Sequence, residues 1–255
     1  AVHAQRAAEG QRALGVHGGD GSVNAAATVA TRHGLPLAVL PGGTRNHFAY
    51  DLGIESADHT ARAVTSGEAV AVDLGRFAPV GPDGGPGEGP SGYFVNTFSL
   101  GSYPELVRLR ERWAPLMGSR AAGVLAAWHV LRTSRPVEAG VAGRQRPLWL
   151  MFVGNCTYRG VGLAPVRRHD LADGLLDVRT VRGGRFARTR LLSAAVAGAL
   201  GRRSRRSSAK LRSLLVTGLP EGTHLAYDGE VAEAPGQLLL DKEREALVVY
   251  RPMPG

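Results

Sequence analysis

Residues 16–24 read VHGGDGSVN, and this stretch decides the fold. The apolar run Ala13-Leu14-Gly15-Val16 before it has the texture of a strand. Gly18, Gly19 and Gly21 allow backbone turns that a side chain would block. Ser22 reads as an N-cap, and the Ala-rich run after it reads as a helix. The free N–H groups of such a helix face the turn and attract phosphate. Strand, glycine turn and helix together predict a nucleotide-handling α/β unit.

A second unit of the same kind follows. Leu37-Ala38-Val39-Leu40 is short and apolar, like a buried parallel strand. Pro41-Gly42-Gly43-Thr44 turns, and residues 45–52 read as a helix that Gly53 ends. Successive parallel strands place their turns on one sheet edge, where ligands of α/β sheets bind. The two glycine turns are therefore expected to line one cleft.

The texture changes after residue 66. Residues 69–74 read as a strand, and residues 79–92 (PVGPDGGPGEGPSG) as a low-complexity loop joining antiparallel strands. Residues 93–98 resume as a strand. Residues 104–133 carry helical periodicity with a break near 115–119. Strands are expected at 147–153, 176–181, 211–216, 224–227, 237–240 and 246–250, with a helix at 186–200. The fold class predicted is an α/β nucleotide-binding domain over residues 1–66, truncated at its N-terminus, followed by a β-sandwich-rich domain over residues 67–255. Residues 1–11 read as a helix that such a fold normally precedes with a strand, so a further upstream part is expected.

The chain has 255 residues, 44% of them hydrophobic, and a formal net charge of +9, which favours anionic partners. Among 31 basic residues only Lys210 and Lys242 are lysines. Residues 201–212 (GRRSRRSSAKLR) are the most basic run, either a solvated loop or a contact for anionic headgroups. No recognition motif or aromatic platform points to nucleic acid. The single cysteine, Cys156, fits a reducing compartment. No signal peptide is visible, and the longest apolar stretch, 191–200, is short of the roughly 20 residues a span needs. A cytoplasmic protein is expected, peripheral at most on the inner membrane face.

Seven motifs then stand in order: Gly18-Gly19-Asp20-Gly21-Ser22, Pro41-Gly42-Gly43-Thr44-Arg45-Asn46, Val72-Asp73-Leu74-Gly75, Phe94-Val95-Asn96 with Leu100-Gly101, Gly154-Asn155, Ala164-Pro165 with Asp173-Gly174-Leu175-Leu176-Asp177, and Asp228-Gly229-Glu230. This order resembles the bacterial diacylglycerol kinase family, relatives of sphingosine kinases, over nearly the whole chain. The resemblance implies a nucleotide domain and a β-sandwich domain with the active site between them. It also implies transfer of the γ-phosphoryl group of ATP to a lipid hydroxyl, with Mg2+. Diacylglycerol is the default acceptor.

On that resemblance, Gly18, Gly19, Asp20, Gly21, Ser22, Val23 and Asn24, with Gly43, Thr44 and Asn46, are expected to cradle ATP. Glu230 matches the general base. Asp228 is expected on the same face of an extended backbone, with Asp20 completing the catalytic set. Asp20 and Asp73 are expected to hold Mg2+ through water. Asp173, with backbone oxygens of Asp170 and Leu175, matches a second, structural Mg2+ site. The chain departs from the family at His47, where an Asp is usual, and lacks the family's upstream Asn-Pro turn. Two other readings remain: a catalytically weak nucleotide- or lipid-binding module, and an NAD kinase, which shares a Gly-Gly-Asp-Gly turn.

Overall fold

Leu14–Gly18 forms β1 and Leu37–Pro41 forms β2, paired in parallel from Leu14↔Leu37 to Gly18↔Pro41. Between them, Asp20–His33 forms α1. Val23, Ala26, Ala27 and Ala30 are all buried on this helix, one stripe at i, i+3, i+4 and i+7. Gly34 ends it with φ 63°, a left-handed turn that favours glycine. The computed structural model describes residues 12–43, 45–133, 136–141, 143–159, 167–183 and 207–252. The expected segments at 1–11, 186–200 and 164–165, Thr44, and residues 201–206 of the basic run lie outside the described residues.

Two helices follow, α2 (His47–Asp51) and α3 (Ala57–Ser66), then strands β3 (Ala69–Pro79), β4 (Gly92–Phe94) and β5 (Thr97–Gly101). The loop at 80–91 joins the antiparallel pair β3 and β4, as its composition predicts. The helical region is a hairpin, α4 (Tyr103–Met117) and α5 (Ser119–Thr133), broken at Gly118. The remaining strands are β6 (Val137–Val141), β7 (Arg144–Asn155), β8 (Tyr158–Arg159), β9 (Arg167–Arg168), β10 (Leu176–Arg182), β11 (Ser207–Leu211), β12 (Leu214–Thr217), β13 (His224–Tyr227), β14 (Glu230–Glu233) and β15 (Gln237–Tyr250). The protein is thus a mixed, sheet-rich α/β chain.

Three expectations are corrected. The strand expected over 93–98 is interrupted at Val95-Asn96, whose N–H groups turn to a carboxylate rather than to a neighbouring strand. The strand expected over 211–216 is two strands, β11 and β12. The strands expected at 237–240 and 246–250 are one, β15, with a register shift between Glu243 and Leu247 and Glu245 at φ 50°.

β15 organises the molecule. It pairs antiparallel with β3 and β12, and parallel with β2 through Val249↔Leu37. The main sheet runs β1-β2-β15-β12-β6-β7-β5-β13-β14. Two buried clusters hang on it. One gathers Leu14, Val23, Leu37, Phe48 and Ile54, the other Phe94, Phe98, Leu100, Met151 and Leu176. β3 and β15 feed both: Val72 and Leu247 face each other in the first, Phe77 and Leu240 in the second.

Candidate nucleotide-binding and catalytic site

The two glycine turns touch. The Gly42 N–H donates to the Gly18 carbonyl at 3.1 Å. A Cβ on Gly43 would lie 2.4 Å from the Gly19 Cα, so no side chain fits there. Asn46, left-handed at φ 50°, brackets this turn: its Oδ1 accepts the Gly43 N–H and its Nδ2 donates to the Gly43 carbonyl, both at 2.8 Å. The N-cap of α1 is Gly19, not Ser22. Ser22 sits one turn too late to cap, exposed, with its Cβ against Gly18. The first intrahelical bond runs from the Val23 N–H to the Gly19 carbonyl. The N–H groups of Asp20, Gly21 and Ser22 therefore have no intrahelical acceptor, and the end of α1 carries partial positive charge.

Val23 and Asn24 face elsewhere. Val23 belongs to the first core cluster. Asn24 is buried and donates to the Tyr93 carbonyl at 3.0 Å, tying α1 to β4.

Asp20 joins three segments. Its carboxylate accepts the backbone N–H groups of His47 (3.3 Å) and Phe48 (3.2 Å), and the Asn96 amide at 3.1 Å. It therefore holds the start of α2 against the first glycine turn. His47 takes part through its backbone; its side chain is exposed.

Behind Asn96 lies a residue the sequence reading missed. Arg168 is buried and donates to Asp51 Oδ2 (2.7 Å), the Val95 carbonyl (2.6 Å), the Asn155 carbonyl (3.0 Å) and Asn96 Oδ1 (2.7 Å). A guanidinium only donates. It fixes Oδ1 of Asn96 toward itself and so turns the amide Nδ2 toward Asp20. Arg168 stands in an arginine-rich chain with nothing local to mark it.

The Asp-Gly-Glu segment is a hairpin tip, not the extended run expected. Tyr227 pairs with Glu230 across Asp228-Gly229, whose φ values are 43° and 98°. Two positive φ values in a two-residue loop suit Asp-Gly. The turn sends the two acids apart. Asp228 is buried and accepts the N–H groups of Val95 (2.6 Å), Asn96 (3.1 Å) and Thr97 (2.8 Å). Burial pushes its carboxyl up to about 7; the three N–H donors pull against this and the Asp20 charge adds to it. Asp228 thus anchors the strand break, while Glu230 is exposed. The tip reaches the glycine turn: a Cβ on Gly21 would lie 3.2 Å from the Asp228 carbonyl oxygen.

Asp73 lies in a different cluster from Asp20. It is buried and takes the Gly174 and Glu245 N–H groups at 2.8 Å, with Lys242 Nζ at 3.1 Å. Lys242 also donates to Asn155 Oδ1 at 2.5 Å and to Cys156 Sγ at 3.0 Å. The ligand atoms of Asp73, Cys156 and Asp173 lie within 4.8 Å of one another. A divalent cation does not fit this group. The Lys242 ammonium already serves Asp73, and burial pushes the Cys156 thiol up to about 11, against the pull of Lys242. Mg2+ also prefers oxygen ligands.

In the neighbouring loop, Asp173 accepts the Thr157 and Leu175 N–H groups at 2.8 Å, and the Leu175 carbonyl accepts the Cys156 N–H. Burial works against ionisation of Asp173, but these N–H donors hold its carboxyl below the usual range. Asp170 is exposed and caps the Ala172 N–H. Lys210, from the basic run, pairs with buried Asp177 at 2.6 Å. Both lysines of the chain therefore neutralise buried aspartates. Their rarity among arginines was the signal for Lys242, since a compact ammonium fits where a planar guanidinium does not.

Residues 1–77 match the diacylglycerol kinase catalytic domain. A diacylglycerol kinase of Mycobacterium tuberculosis is 30% identical over 192 residues, covering 72% of this chain and 59% of that protein. The chain thus spans less than two thirds of the length of that relative. A crystal structure of a diacylglycerol kinase from Bacillus anthracis superposes with TM-score 0.62 at 19% identity, covering 98% of this chain and 80% of that one. An NAD kinase from Archaeoglobus fulgidus in complex with ATP gives TM-score 0.50 at 10% identity, covering 94% and 78%. The two likenesses in structure bear on the fold alone.

Proposed function

We propose that this chain, which belongs to the bacterial diacylglycerol kinase family, is a lipid kinase that moves the γ-phosphoryl group of ATP to a lipid hydroxyl, with diacylglycerol as acceptor and phosphatidic acid as product. The observation that carries the reading is the meeting of the Asp228–Glu230 hairpin tip with the glycine turn at Gly21. It brings the hairpin that carries exposed Glu230 to a helix N-terminus suited to phosphate.

In this reading the N–H groups at the start of α1 and the turn at Gly43 bind the phosphates. The acceptor hydroxyl oxygen forms a bond to the γ-phosphorus as the bond to the ADP oxygen breaks. The hydroxyl proton passes to Glu230. Asp228 positions this hairpin through the Val95–Thr97 backbone. Asp20 is the carboxylate that would hold Mg2+ through water, and the ion would neutralise phosphate charge when bound. The oxygen donors at Asp170, Asp173 and Leu175 are a second proposed Mg2+ site. The Asp73 cluster, with Lys242 in place, is not. Residues 1–66 serve as the nucleotide unit, and the lipid arrives from a membrane surface at the β-rich remainder.

The test is Glu230→Gln, assayed with ATP, Mg2+ and a panel of lipid alcohols in mixed micelles, products read by mass spectrometry. The variant is expected to keep ATP affinity and to lose about 100-fold or more in transfer rate. Transfer at the parent rate overturns the assignment of the base. No phosphorylated lipid from the parent overturns the kinase reading in favour of a binding module.

A further inference from the structure

Among its described side chains, α5 packs its apolar residues in an inverted order of size. It packs on α4 and buries Ala122, Ala126 and Val130, while Leu125 and Trp128 are exposed. Trp128 is 47% exposed and Leu116, at the hairpin tip, is 79% exposed, with Met117 beside it also open. A helix whose smallest apolar side chains face in and whose largest face out has an outer face with an occupant of its own.

The polar residues on the hairpin select the occupant. Over residues 103–133 there are five Arg against two Glu. Arg108, Arg110, Arg112 and Arg132 are exposed. Leu125, Trp128 and Arg132 share one helix face at i, i+3 and i+7, and the Arg132 guanidinium stacks 5.4 Å from the Trp128 ring centroid. Large apolar and aromatic side chains interleaved with arginine suit the boundary between headgroups and acyl chains. α4 packs on β5, β7 and β13. β5 follows the Val95–Asn96 break, and β13 leads into the hairpin that carries Glu230.

We infer that the α4–α5 hairpin is an interfacial docking element, which seats Leu116, Leu125 and Trp128 in an anionic lipid surface and its arginines among the headgroups. This deepens the reading of a lipid acceptor: docking here sets the Glu230 hairpin over the membrane that holds the substrate. Val231, next to Glu230, is also exposed.

The test is sedimentation with vesicles, without ATP, so that docking and phosphoryl transfer are read separately. Vesicles of phosphatidylcholine alone are compared with vesicles that also contain phosphatidylglycerol. The parent chain is expected to bind the anionic vesicles and to release them in high salt. Leu125→Ser with Trp128→Ser is expected to weaken binding about tenfold or more, with the melting temperature unchanged. Arg132→Ser alone is expected to weaken it about fivefold, the equivalent of about 1 kcal/mol for one basic residue at such a surface.

Glu230→Gln is expected to bind vesicles like the parent. Equal binding by parent and surface variants, or no binding by the parent, overturns the inference. So does a dimer that the double serine variant dissolves without any change in vesicle binding, because a second copy then covers the face. Vesicle binding without phosphoryl transfer overturns the kinase reading and leaves this one standing.

Discussion

Asp228→Asn separates two jobs that Asp228 does at once. Asn-Gly is as good a two-residue hairpin loop as Asp-Gly, and Asn tolerates the left-handed φ of 43°. The turn is therefore kept. What changes is the acceptor. The carboxylate offers both oxygens to the N–H groups of Val95, Asn96 and Thr97. An amide offers one oxygen and turns an NH2 group toward the others.

At least one buried N–H is left without a partner, at about 1–3 kcal/mol, and the bonds that remain lose the help of charge. Some of this is returned, because a carboxyl pushed up by burial no longer has to ionise there. A net loss of about 1–3 kcal/mol in unfolding free energy follows. The folded carboxyl sits at about 7, above its ordinary 3.8. Its contribution to stability is therefore fully present below about pH 4 and is lost as pH rises through about 7. The variant lacks this term, so the gap between parent and variant is widest at and below about pH 4 and narrows toward pH 8. Urea denaturation of both proteins across this range reads it. An unfolding free energy within about 0.5 kcal/mol of the parent at every pH, the size of a surface change, refutes the anchoring role.

Two further outcomes follow from the geometry. Gly43→Ala places a Cβ 2.4 Å from the Gly19 Cα. It is expected to force the two glycine turns apart and abolish nucleotide binding by titration calorimetry, with tight binding in the variant as the contrary result. Lys242→Met leaves Asp73 buried beside an uncompensated site. It is expected to cost about 3–5 kcal/mol, read as a lower melting temperature, and an unchanged one contradicts the pairing.

The two strand–turn–helix units, the loop at 80–91 and the helical break at Gly118 were legible in the chain because each is written locally. Glycines, an apolar period and a run of prolines act on their own neighbours. The close approach of the two glycine turns was legible for the same reason: a Cβ on Gly43 would lie 2.4 Å from the Gly19 Cα. Ser22 misled, since a hydroxyl before an Ala-rich run signals a cap, yet the helix is capped three residues earlier, at Gly19. Asp228 misled as well. Its partners at Val95–Thr97 are more than 130 residues away, and nothing local distinguishes an acid that holds a backbone from one that transfers a proton.

The sequence by itself determined the two glycine turns and the parallel strands that carry them. Tertiary structure alone decided that β15 completes the first sheet beside β2, that Arg168 orients Asn96 toward Asp20, and that Lys242 fills the place a metal would take at Asp73. The physical reason is common to all three. Short-range signals come from backbone freedom and side-chain period, which a residue carries with it. A buried charge has meaning only through its partners, and the fold gathers those from segments the sequence keeps far apart.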